Sequence, residues 1–92
     1  MKIKLSKPYI FEKREPVQEI DLNLDHLTGN DFIAAIEMLQ AEGYVSVSPN
    51  LDMKVQANIV AAALGEPIEY VCGLPMPDFA KVCQRVQTFL LK

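Results

Sequence analysis

From Lys2 to Glu12 the chain alternates between polar and apolar positions. Ile3, Leu5, Tyr9 and Phe11 share one parity, and Lys2, Lys4 and Ser6 hold the other. That is the period of a half-buried strand. Pro8 cannot donate to a ladder, so it puts this strand at an edge or breaks it there. Lys13 to Pro16 is a polar turn. Gln18 to Leu24 then alternates again, with Ile20, Leu22 and Leu24 facing one way and Glu19, Asp21 and Asn23 the other. Two such segments with a short polar link predict an antiparallel hairpin over residues 2–24. Its first strand is basic and its second acidic, and opposite charges across strands stabilise by roughly 0.2–1 kcal/mol per pair. A lone hairpin is marginal in water, so its apolar face must lie on helices.

The remainder, residues 28–92, has helical periodicity. Thr28 with Asp31 three positions on resembles a capping box with Asp in place of Glu. The first helix then runs to about Glu42 and stops at Gly43. Phe32, Ile36 and Leu39 form its main core stripe, flanked by Ile33 and Ala35, while Ala34, Met38 and Ala41 form a weaker apolar strip on the far side. Tyr44 to Val47 is a short extended link. The stretch from Ser48 to Gly65 predicts the central helix, with Ser48 as N-cap, Pro49 at the first helical position and Gly65 as a left-handed stop followed by Pro67. Leu51, Val55, Ile59 and Ala62 make one stripe on it, and Met53, Ala57, Val60 and Leu64 another. A helix apolar nearly all round is buried on more than one side. Glu66 to Gly73 fits one or two helical turns begun by Pro67 and ended by Gly73. The last helix starts near Pro77 or Asp78. It packs Phe79, Val82, Cys83, Val86, Phe89 and Leu90 on one side, with Lys81, Gln84, Arg85 and Thr88 opposite. The expected fold is α+β: one domain over residues 1–92, with an N-terminal hairpin packed on three main helices and one short one.

Composition narrows the function classes. Half of the 92 residues are hydrophobic and 23% are charged, as in an ordinary globular domain. The formal net charge of −3 argues against a nucleic-acid binder, which normally carries a basic face. No run approaches the ~20 apolar residues of a membrane span. Lys4 and Lys7 interrupt any signal-peptide core at the start, so a cytoplasmic protein is expected.

Candidate chemistry is sparse. His26 is the one histidine, beside Asp25, and a loop histidine without a catalytic role is the expected reading. Cys72 and Cys83 lack CxxC spacing and a second histidine to complete a zinc site, so both are expected to be buried free thiols. Glu19, Asp21 and Asp25 could share acid–base work, but a solvated strand face is the simpler account. Asp31 and Asp78 sit in first turns, where a negative charge meets the helix dipole favourably. The four glycines stand singly, so no phosphate loop is present. No catalytic, cofactor or metal residue is therefore predicted. The methionines offer a functional alternative to core packing, because methionine adapts to irregular partners. Ala34, Met38 and Ala41, with Met53 and Ala57 opposite, are the candidate surface for a partner or for self-association.

The hairpin opening KIKLSKPYIFEKREPVQEIDL, then LTGNDF, then IVAAALGEPIEYVCGLPMPDFAKV and the late Phe89-Leu90, resembles the small tail assembly chaperones of long-tailed phages and of prophages that carry such tails. The most telling pieces are Leu5-Ser6-Lys7-Pro8, Leu27-Thr28-Gly29 followed by Asp31, the alanine-rich helix ending at Gly65, and Leu74-Pro75 followed by Asp78-Phe79. The resemblance implies a non-enzymatic protein of the host cytoplasm. Such a protein binds the long, helix-rich tape measure protein, keeps it soluble and helps tail tube protein subunits assemble around it. It also implies a homo-oligomer and no cofactor, and in many such phages a frameshifted longer product shares the N-terminal domain. It supplies no site residues. Two rivals come from other classes. One is a small regulator that binds DNA through a helix, although the last helix offers only Lys81, Arg85 and Lys92 and the central helix only Lys54. The other is a small enzyme using His26 or Cys83.

Overall fold

The computed structural model describes residues 2–45, 48 and 52–90. Its architecture is α+β: strands β1 (Lys2–Tyr9) and β2 (Val17–Asp21), then helices α1 (Gly29–Ala41), α2 (Met53–Leu64), α3 (Ile68–Cys72) and α4 (Met76–Leu90). The strands form an antiparallel two-stranded sheet. Ile3 stands opposite Ile20, Lys4 opposite Glu19 and Lys2 opposite Asp21, so the basic and acidic rows face each other as their charges predict. The register shifts between Lys4 and Tyr9, around Pro8. The loop between the strands needs one left-handed residue, Glu12 at φ 56°.

Ile3, Leu5, Ile20, Leu22 and Leu24 are buried beneath the sheet and join one core with α2 and α4. α2 is the centre of that core. It packs against α1, α3 and α4, and Val55, Gln56, Ala57, Ile59, Val60 and Ala61 are all buried. This is why its apolar residues do not keep to one stripe. Ala57 and Ala61 on its surface let neighbouring elements approach.

The start of α2 differs from expectation. The helix begins at Met53, capped by Asp52, whose side chain accepts the Lys54 N–H at 2.8 Å. Asp is as good an N-cap as Ser. Tyr44 fixes it further by donating its hydroxyl to the same carboxylate. Ser48 is an exposed bend outside the helix. Val47, Pro49 and Leu51, which were expected in the link or helix, lie outside the described residues.

The helix ends follow the glycines. The Gly43 N–H reaches the Gln40 carbonyl and the Tyr44 N–H the Leu39 carbonyl, both at 2.9 Å, with Gly43 at φ 85°. Gly65, at φ 69°, closes α2 in the same way, with its N–H on Ala62 and that of Glu66 on Ala61. These are paired Schellman bonds, which satisfy the last carbonyls of a helix. α3 begins after Pro67 and ends at Gly73, and the polar face of α4 is exposed, both as the sequence predicts.

Side-chain contacts fasten the hairpin to the helices. Asp78, in the first turn of α4, is fully buried and accepts two bonds from Ser6, one from its N–H and one from its hydroxyl, each at 2.9 Å. Tyr9 donates its hydroxyl to the Tyr70 carbonyl at 2.8 Å and meets the Tyr70 ring edge-on at 5.3 Å. Arg14, in the hairpin loop, holds both carboxylate oxygens of Glu66 at 2.8 and 2.9 Å while lying over Phe11.

Candidate functional site

The first turn of α1 and the last turns of α4 do not close on each other. Between them lies an open, largely apolar groove of about 570 Å³. Val86 and Ile59, from the core, line it together with Leu24, which follows β2. Leu27 and Phe32 stand at the N′ and N4 positions of α1, the two places that form a hydrophobic staple. Ile33, at 53% exposure, and the partly buried Phe89 and Leu90 complete the apolar lining.

Polar character is confined to Thr28, Gly29 and Asp31. Asp31 is already engaged: its Oδ2 accepts the Thr28 N–H at 2.8 Å and the Thr28 hydroxyl at 3.3 Å. The groove therefore offers apolar contact area with few polar groups to fix an orientation. It suits large apolar side chains delivered by another molecule.

The predicted binding residues are distributed differently. Ala34, Met38 and Ala41 lie on the exposed face of α1, with Met38 at 56% exposure. Met53 is the first residue of α2 and is 47% exposed. Ala57 belongs to the core at 1% exposure, because α2 is covered on that side, so it offers no surface to a partner. None of the five lines the groove. Ile33 was expected to flank the core stripe; it stands instead at the rim of the groove. A signal for the groove was present in the sequence. Leu27 and Phe32 at the start of α1, and Phe89 and Leu90 near the end of α4, are large apolar residues at element ends.

The titratable candidates separate clearly. His26 and Cys72 are exposed, so only Cys83 fits the expected buried thiol. Burial pushes the Cys83 thiol up to about 11, and its Sγ lies 3.8 Å from the Met53 carbonyl oxygen. A nucleophilic cysteine needs the opposite shift. Glu19, Asp21 and Asp25 are exposed, and among the described residues no group of three or more His, Cys, Asp or Glu side chains could hold a metal ion. No helix is long and apolar enough to cross a membrane, among the residues described. Compared with protein families, with curated proteins and with solved structures, the chain matches none.

Proposed function

We propose that this protein is a non-enzymatic assembly chaperone of the kind that serves long phage tails. It binds exposed apolar segments of a tape measure protein, keeps that protein soluble in the host cytoplasm and promotes assembly of the tail tube. The observation that carries the reading is the open groove between α1 and α4, apolar over most of its lining. A chaperone of helix-rich chains needs a preformed apolar cleft that accepts many side chains without demanding one polar pattern. The exposed Met38 and Met53 offer further adaptable apolar surface outside the groove.

The resemblance in sequence adds support from a second direction. Two of its most telling pieces, Leu5-Ser6-Lys7-Pro8 and Asp78-Phe79, meet through the paired Ser6–Asp78 bonds. Co-expression tests the reading. The long, helix-rich tape measure protein from the same genome, tagged, is produced with and without this chain. The tape measure protein is expected in the soluble fraction, with this chain bound, only when both are present. Equal precipitation in both cases overturns the reading.

A further inference from the structure

The two edges of the sheet are not equivalent. On β1, the Lys4 carbonyl accepts the Lys81 ammonium at 3.4 Å and the Ser6 N–H goes to Asp78. Both groups point away from β2, so α4 covers that edge. In an antiparallel pair, residues alternate between those bonded to the partner strand and those bonded outward. Lys4 and its opposite, Glu19, therefore form the non-bonded pair, while Ile3 and Ile20 bond to each other. The N–H and C=O of Glu19 consequently point outward, along an edge of β2 that, among the described residues, no helix covers at length.

We propose that this free edge of β2 is a docking site for an extended segment of another protein in which Lys or Arg alternates with apolar residues. Charge selects the occupant. The exposed row of β2 carries Glu19 and Asp21. β1 already meets that row with Lys4 and Lys2. A third strand on the other side meets the same two carboxylates, and opposite charges on neighbouring strands stabilise where like charges repel. A second copy pairing through β2 about a twofold axis would set acidic row against acidic row, so the edge rejects its own kind. The inward row Ile20, Leu22 and Leu24 leads into the apolar groove at Leu24. The apolar side chains of an added strand thus extend a surface of matching character. Strand addition of this type draws affinity from main-chain bonds and selectivity from alternate side chains. The inference concerns the sheet edge and does not depend on the chaperone reading.

The test uses the full chain, isotope-labelled, and two extended peptides with one shared apolar alternation. One carries lysine at every second position and the other glutamate. The lysine peptide alone is expected to shift the Glu19 amide and protect it from hydrogen exchange. Glu19→Pro removes the outward donor without touching the Ile20 bonds to β1, and abolishes binding of the lysine peptide as read from the shifts of the Gln18, Ile20 and Asp21 amides; Glu19→Gln, which keeps the donor, only weakens it. Glu19→Lys with Asp21→Lys makes the chain prefer the glutamate peptide and weakens the lysine peptide roughly tenfold. If Glu19→Pro fails to fold, the charge-swapped pair decides. Equal binding of both peptides, or shifts confined to the helices, overturns the proposal. So does a Glu19 amide already protected by pairing with a second copy.

Discussion

At Gly73 the backbone has an ordinary helical φ of −82°, so conformational freedom does not explain the glycine. Space does. A Cβ there would stand 2.6 Å from the Tyr9 hydroxyl and 3.1 Å from the Glu69 carbonyl. Gly73→Ala must therefore displace the Tyr9–Tyr70 bond and leave a buried carbonyl poorly paired, a loss of about 1–3 kcal/mol. Urea unfolding checks it, and in a Tyr9→Phe background, where the hydroxyl is gone, the alanine should cost much less. Cys83 gives a pH dependence. Burial raises its thiol from 9.0 to about 11, so the folded chain holds a proton that the unfolded chain loses first. Its contribution to stability is complete below pH 9 and is lost as pH rises through about 11. Burial also raises Tyr9 and Tyr70 above 10.0, which continues the fall at higher pH. Denaturant midpoints should decline from pH 9 upward, and Cys83→Ala should flatten the first part of that decline. At neutral pH a thiol reagent should label Cys72 in the native protein and Cys83 only after unfolding.

The elements are held in place by a few polar bonds at their ends. Asp78→Ala leaves the Ser6 N–H without its acceptor and should cost about 1–3 kcal/mol. Because the bond joins β1 to α4, hydrogen exchange should accelerate in the hairpin before the helical core. Asp52→Ala removes the cap of α2 and the acceptor of Tyr44, with an expected loss of about 1 kcal/mol. These features mark where the sequence was legible. Alternation over residues 2–12 and 18–24, Thr28 with Asp31, and Gly43 and Gly65 each act locally, so spacing alone placed both strands and both ends of α1, although β2 ends at Asp21, short of Leu24. The α2 start was not local in the same way. Ser48-Pro49 and Asp52 are both competent starts, and Asp52 accepts Tyr44 from across the link. Asp78 likewise reads as a residue favoured by the helix dipole. Its second role depends on Ser6, 72 positions away. The left-handed Glu12 carries no glycine to announce it. The groove was the least legible feature, since it arises where α1 and α4 fail to meet, which is a property of packing and not of either helix.

As a whole molecule the protein combines a firm core with unpartnered apolar surface. The core runs from the sheet through α2 to α4, whereas Ile33, Met38 and Met53 stand exposed outside it. A charged residue at any of these three should leave stability within about 0.5 kcal/mol, as for surface positions in general. Their effects on binding should differ. Ile33→Glu puts a charge at the groove rim, whereas Met38→Glu alters a face that does not line the groove. The most direct measurement is therefore a pull-down on the tagged tape measure protein, co-expressed with the wild-type chain, Ile33→Glu or Met38→Glu. The account predicts that the wild-type chain is retained, that Ile33→Glu is largely lost although still folded, and that Met38→Glu is affected less. Full retention of Ile33→Glu would contradict the assignment of the groove as the binding site.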